Sequence, residues 1–255
     1  MATLLTLVAV GAACGPSTTA SAAPAPPRVL FVDHFAGPDG LVTNEYAHWN
    51  WTHRDAVISP AWDMTSGSLL RHHGDAWTGV PDATTPDARS LLHTDSAVFR
   101  VTTRRADFGD VTVSMRLRNI RLTSTPRTPR TDWDGVHLFL RYQSEQYLYY
   151  ASVNRRDGTV AIKKKVPGGP SNGGTYYTLA TGRNAVPYGA WQSVQARVVT
   201  NRDGSVTIAL WDNGRLLATA VDRGVHGVPI RQAGRVGVRA DNAEVELDDF
   251  TVTAG

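Results

Sequence analysis

The sequence predicts an all-β protein built from two antiparallel sheets packed face to face, on three observations. Residues 132–165 read as three adjacent strands whose side chains alternate between two faces. Hairpin turn pairs recur along the chain, at Asp157-Gly158, Asp203-Gly204 and Asn213-Gly214. No long segment carries the period of an amphipathic helix.

The three central strands span 135–142, 147–154 and 159–165. Strict alternation puts Val136, Leu138, Leu140, Tyr149, Ala151, Val153, Val160 and Ile162 on a core wall. It puts His137, Phe139, Arg141, Tyr150, Ser152, Asn154, Ala161, Lys163 and Lys165 on the opposite, polar face. Further strands are expected at 29–35, 97–103, 111–119, 190–200, 205–211, 215–222, 234–240 and 243–252. In the strand at 111–119, Val111, Val113, Met115 and Leu117 face inward and Arg116 and Arg118 outward. Residues 48–53 alternate Trp49, Trp51 and His53 against Asn50 and Thr52, and 62–70 is a turn followed by a strand. Residues 72–92, with Trp77, and the Pro-rich stretch 122–131 read as loops. The Gly-rich stretch 167–174 follows a Lys-rich strand, but no helix pattern or Lys-Ser/Thr pair follows it, which excludes a phosphate loop and leaves no organic cofactor motif.

Composition fits one sizeable core: 255 residues, 42% of them hydrophobic and 19% charged. A formal net charge of only +3 argues against nucleic acid as partner. The charge is uneven, with eleven Lys or Arg against five Asp or Glu between Asp110 and Lys165, which points to an anionic ligand. The apolar run at 3–13 is too short to span a bilayer and has the length of a signal-peptide core. Two readings of the leader at 1–22 remain open. Ala20-Ser21-Ala22 is a small-residue cleavage site, and Cys14, the only cysteine, closes a lipoprotein-like box that would anchor the protein to a membrane. Either way the protein is expected outside the cell. Residues 15–28 are rich in Ser, Thr, Ala and Pro; of these, 23–28 form a disordered tether to a single domain at 29–255, expected to be monomeric.

Three stretches together resemble the concanavalin A-like, laminin-G-like jelly-roll superfamily: GVHLFLRYQSEQYLYYASVNRRDG, AWQSVQARVVTNRDGSVTIALWDNGRLLATAVD and GRVGVRADNAEVELDDFTV. The pattern lies near that of keto-disaccharide-hydrolase-like and alginate-lyase-type domains. The resemblance implies a jelly roll whose concave polar sheet binds glycan, and that sheet would carry the central hairpins. Fold alone does not fix activity.

The favoured function is a lyase acting on a uronate-containing polysaccharide. β-Elimination needs a group to neutralise the carboxylate, a base for the C5 proton and an acid for the leaving oxygen. His137, Tyr150 and Arg141 are the catalytic candidates. Arg116, Arg118, Asn154, Lys163 and Lys165 would hold substrate, with Trp77 and Trp133 as stacking platforms and the remaining tryptophans, Trp49, Trp51, Trp191 and Trp211 among them, in the core. Jelly-roll lyases resemble this arrangement, but their Gln-x-His appears here as Gly135-Val136-His137, and their Arg-x-Glu-x-Arg as Ser114-Met115-Arg116-Leu117-Arg118. The alternatives are a non-catalytic glycan-binding module, a glycoside hydrolase or an adhesion domain. Glu244-Val245-Glu246-Leu247-Asp248 has a hydrolase-like alternation but reads as a solvated face on an edge strand, and Asp132 and Asp134 read as turn chemistry. The resemblance also implies a structural calcium ion tying the first strand to the last, through Asp33 and Asp249, where a skip between Leu247 and Phe250 marks a bulge. Zinc is not expected, since His72-His73 has no cysteine or spaced partner histidine.

Overall fold

The computed structural model describes residues 26–81 and 98–255. The leader with Cys14, the start of the tether and the end of the 72–92 loop region lie outside the described residues. No helix among the described residues is long and apolar enough to cross a membrane.

The elements in chain order are β1 (Val29–Asp33), β2 (Gly40–Asn44), α1 (Tyr46–Trp49), β3 (Trp62–Ser66), β4 (Ser68–His72), β5 (Asp75–Trp77), β6 (Val98–Thr103), β7 (Val111–Leu122) and β8 (Gly135–Ser144). They continue with β9 (Tyr147–Arg155), β10 (Thr159–Ser171), β11 (Gly174–Arg183), β12 (Trp191–Thr200), β13 (Val206–Asp212), β14 (Arg215–Asp222), β15 (Arg235–Asp241) and β16 (Ala243–Ala254). One sheet has nine strands in the order β14-β13-β12-β7-β16-β5-β4-β2, with β1 also on β16. The other has seven, β11-β10-β9-β8-β15-β6-β3. Every named strand pair is antiparallel, so the fold is the two-sheet jelly-roll sandwich expected from the sequence.

Burial of the two inner faces holds the sheets together. Val113, Met115 and Leu117 of β7 and Val194, Ala196 and Val198 of β12 meet Leu138 and Leu140 of β8 and Ala151 of β9 across a single core. Each fully buried aliphatic side chain stabilises by roughly 1.5–3 kcal/mol relative to exposure. The inner wall of the central hairpins matches strict alternation, because Tyr149, Ala151, Val153, Val160 and Ile162 all belong to that core.

Several local expectations fail. Residues 48–53 do not form a strand. The Glu45 carbonyl accepts from both the His48 and Trp49 N–H groups, so the chain coils into α1, and Tyr46 stacks on His53 at 4.2 Å between ring centroids. Trp49 and Trp51 are consequently 65% and 70% exposed rather than core. Trp77 stands in β5, not in a loop, and Trp191 and Trp211 are half-buried rather than core. The glycine-rich stretch is the tip of the long β10–β11 hairpin. β16 is not an edge strand; it lies between β7 and the β1 and β5 strands.

Candidate functional site

The outer face of the seven-stranded sheet carries a groove of about 360 Å³. Strand pairing builds it in rows. Lys165 of β10 sits beside Leu148 of β9 and Tyr176 of β11, and Lys163 beside Tyr150. The next row runs from Ala161 through Ser152 and His137 to Arg239. Trp133, 55% exposed, and Arg155 close one end, and Ser171 and Asn172 of the β10–β11 tip close the other. The Asn172 carbonyl accepts from Gln146 Nε2 at 3.0 Å, which bends that tip over the start of β9.

The groove is cationic, and its charges are unequally compensated. Arg239 pairs with Asp241 at 2.8 Å and Arg155 with Asp157 at 2.7 Å. Burial pushes Asp241 up, but Arg239 and His137 outweigh it and hold the carboxyl at about 2. Lys163 and Lys165 have no ion pair or hydrogen bond among the described residues; their ammonium groups lie 5.9 Å and 4.9 Å from the Tyr176 ring centroid. Burial, then Arg239 and Arg100, push Lys165 down to about 8. Burial and Arg155 lower Lys163 as well. Two lysines without counter-ions among the described residues thus leave uncompensated positive charge beside aromatic rings in this groove.

The residues expected to share this face separate into three groups. Tyr150, Lys163, Lys165 and Trp133 do line the groove. His137 is on the face but fully buried beneath Tyr150, the rings stacked at 4.5 Å. Its Nδ1 meets Ser152 Oγ at 3.0 Å; its Nε2 lies 3.2 Å from Asp241 but off the line of a hydrogen bond. Burial lowers its pKa and keeps the imidazole neutral. The remainder are elsewhere. Arg141, at φ +47°, turns inward at a bulge and donates to Ile230 O, Asp110 and Thr200 at 2.6, 2.6 and 2.8 Å. Asn154 turns inward after a register shift at Val153 and donates to Gln192 of the opposite sheet at 2.8 Å. Gly135 makes that shift possible: at φ +137°, a Cβ there would sit 1.7 Å from the Asn154 carbonyl oxygen.

Arg116 and Arg118 lie on the nine-stranded sheet, where β7 and β16 form a ladder of ion pairs. Arg116 meets Asp248 at 3.2 Å, Arg118 meets Glu246, and Arg121 meets Glu244 at 2.7 Å; Trp191 lies under the first two guanidinium groups. Trp77 Nε1 donates to Glu244 at 3.3 Å on the same sheet. Glu244 and Glu246 are therefore buried ladder partners and Asp248 a part-buried one, rather than a solvated face, and each carries an arginine partner. Asp134 does serve the turn, accepting from Thr131 N and Oγ1, and also from Arg156 and Asn242.

β1 does pair with β16, and the bulge near Asp249 is present. The two expected calcium ligands are nevertheless engaged separately. Asp33 accepts from Phe35 N and Trp62 Nε1, and Asp249 meets His34 Nδ1 at 2.7 Å. Among the described residues the group of three side chains that could hold a metal is Asp39, His72 and His73.

Sequence reasoning missed Lys164. Its ammonium donates to Val225, Gly227 and Val228 carbonyls at 2.8–2.9 Å and pairs with Asp222 at 3.0 Å, while Tyr149 donates to the same carboxylate at 2.7 Å. The signal was present, since alternation places Lys164 on the inner face of Ile162. Arg155 and Arg239 of the groove were also missed; Arg239 pairs across β15 and β8 with His137.

No protein-family model and no curated protein matches the chain. Solved structures match in fold. The Emp46p carbohydrate recognition domain, in a potassium-bound form, aligns with a TM-score of 0.53 at 9% identity, over 87% of this chain and 97% of that one. The carbohydrate binding module CBM66 from Bacillus subtilis aligns at 0.50 and 10% identity, over 75% and 94%. A glycosyl hydrolase family protein from Mycobacterium fortuitum aligns at 0.51 and 13% identity, over 88% and 99%. At such identities the likeness establishes the jelly-roll fold. The lyase assignment is overturned. Its catalytic set is dispersed, with His137 sealed under Tyr150 and Arg141 turned inward to Ile230 and Asp110.

Proposed function

We propose that the outer groove of the seven-stranded sheet binds an anionic glycan without cleaving it. The observation that carries this reading is the pair Lys163 and Lys165, both lining the groove beside Tyr150 and Tyr176 and neither with a counter-ion among the described residues. A carboxylate or sulfate on a sugar supplies the missing charge, and the tyrosine rings and Trp133 accept the apolar faces of successive sugars. The solved neighbours described as carbohydrate-binding support a glycan as the ligand class. The apolar run at 3–13 and the small-residue site at 20–22 support an encounter outside the cell, with the domain released or anchored through Cys14. A structural calcium ion has no support from the placement of Asp33 and Asp249.

Calorimetric titration with a uronate oligosaccharide and a neutral one of equal length tests the reading. The uronate should bind, more weakly as salt rises. Lys165→Met and Lys163→Met should each cost about 10- to 100-fold in affinity, the range of a charge-assisted hydrogen bond. Equal affinity for the neutral glycan, or unchanged affinity in both variants, would sink the proposal.

A further inference from the structure

The geometry points to a transition-metal site at Asp39, His72 and His73, on the nine-stranded sheet and separate from the groove. Adjacent residues of a flat strand point to opposite faces. Here the β4–β5 hairpin turns on His73 and Gly74, at φ +55° and +88°, both left-handed as a two-residue turn of this kind requires. That conformation swings His73 to the side of His72, and the imidazole centroids lie 4.1 Å apart. Asp39 reaches the pair from the turn before β2, and its Oδ1 accepts the His73 backbone N–H at 2.8 Å. One donor atom from each of the three side chains lies within 4.8 Å of the others.

A second feature orients the site. His72 Nδ1 is buried and makes no hydrogen bond, and Glu246 Oε1 lies 3.8 Å from it. Glu246 engages Arg118 through its other oxygen, Oε2. A carboxylate behind one nitrogen of an imidazole is the arrangement that fixes a metal-ligating histidine, leaving the second nitrogen for the ion. Two imidazoles and one carboxylate are a borderline donor set. They suit Zn(II), Co(II), Ni(II) or Cu(II), with solvent completing the shell, and do not suit calcium, which takes six or more oxygens. Ligands around a tetrahedral zinc stand roughly 3.3 Å apart, from bond lengths near 2.0–2.1 Å. Asp39 and His73 are exposed and free to rotate inward by that margin. A bound ion would tie the turn leading into the edge strand β2 to the β4–β5 hairpin.

Chelator-treated full-length protein titrated with Zn(II), and separately with Co(II) and calcium, tests the site by calorimetry, by Tm and by the visible absorption of Co(II). Zn(II) should bind one per chain and raise Tm, since an ion that binds only the folded state stabilises it; Co(II) should show a low-symmetry d–d spectrum, and calcium should do neither. His73→Asn is the decisive variant, because Asn favours the left-handed turn and so preserves the hairpin while removing one ligand. It and Asp39→Asn should each weaken Zn(II) about tenfold or more, and Glu246→Gln should act through His72 on a similar scale. Zn(II) binding unaltered in His73→Asn and Asp39→Asn, calcium binding as tight as Zn(II), or no binding to the wild type, overturns the site.

Discussion

Raising the pH through 8 should release an anionic glycan from the groove, and Lys165 sets the size of the effect. Lys165 is 2% exposed. Burial, with Arg239 and Arg100, brings it from 10.5 to about 8, against the smaller opposing pull of Glu145. The protonated fraction in the free protein then falls from about 0.9 at pH 7 to about 0.1 at pH 9, so apparent affinity should fall about tenfold over that range. The value of one charge-assisted hydrogen bond, about 1.5–3 kcal/mol, limits the total loss. Burial moves His137 down and Tyr150 and Tyr176 up, away from this window, while Lys163, lowered by burial and Arg155, shifts in the same direction as Lys165. Calorimetry at constant ionic strength, in buffers of different ionisation enthalpy, reads both the affinity and the proton taken up on binding near pH 8. Lys165→Arg, charged throughout at that position, should bind with a shallower profile than the wild type. The ligand-free protein should respond with the opposite sense. Because Lys165 is depressed in the folded state, the unfolded chain binds more protons between about 8 and 10.5, and folding stability contributed by this group rises with pH through that window. Lys165→Met should therefore stabilise the empty protein below pH 8 while weakening binding. A flat wild-type affinity profile, or an equal slope in Lys165→Met, refutes the reasoning.

His137→Ala should cost about 2–4 kcal/mol in urea unfolding, from the lost packing against Tyr150 and the lost Ser152 and Asp241 contacts; a loss below about 0.5 kcal/mol means the ring is not structural. Arg141→Met should destabilise by about 1–3 kcal/mol, because it leaves the buried Ile230 carbonyl without its donor while the part-exposed Asp110 keeps Thr200 N, and it should do so without any change in glycan affinity once the protein is folded. Arg116→Ala should leave glycan affinity unaltered, since Arg116 lies on the other sheet, and should change stability by less than about 1 kcal/mol, since its pair with Asp248 is part-exposed. A tenfold loss of affinity in Arg116→Ala would move the binding surface to the nine-stranded sheet.

The sandwich was legible because its evidence is repeated. Val111, Val113, Met115 and Leu117 alternate over one long strand, Val194, Ala196 and Val198 repeat the pattern opposite, and the Asp-Gly and Asn-Gly turns fix where each strand ends. A register set by so many buried side chains has no competitor, since a slip by one residue exposes all of them. The exceptions were short segments where a few local interactions decide. Trp49 and Trp51 alternate as a strand would, yet two N–H groups returning to the Glu45 carbonyl coil that stretch instead. The Asp39–His72–His73 cluster was hidden for a related reason: nothing in the sequence brings residue 39 to residue 72, and only the β2–β4 pairing does so, with Gly40 beside Arg71.

The candidate site shows where alternation stops being a guide to chemistry. Lys165 and Tyr150 lie on straight runs, and at Lys163 the register shift places its extra residue, Leu179, on β11 and leaves β10 regular, so each keeps the face that counting by twos assigns. Arg141 and Asn154 lie at or just beyond a bulge, and each crosses to the other side of the sheet. A bulge inserts one residue on one strand, so side chains after it change face relative to those before it. The crossings are not neutral, because a polar group turned into a sandwich must find partners there. Arg141 finds Asp110, Thr200 and the Ile230 carbonyl; Asn154 finds Gln192, which in turn donates to Asp212 at 2.9 Å. The bulges thus convert two residues of a would-be binding surface into ties between the sheets, and the cations left in the groove without a carboxylate partner among the described residues are the two lysines. A polar strand face read from sequence therefore overstates its site by the residues beyond each bulge. The glycine at Gly135, required at φ +137° against the Asn154 carbonyl, is the mark in this sequence that such a break lies nearby.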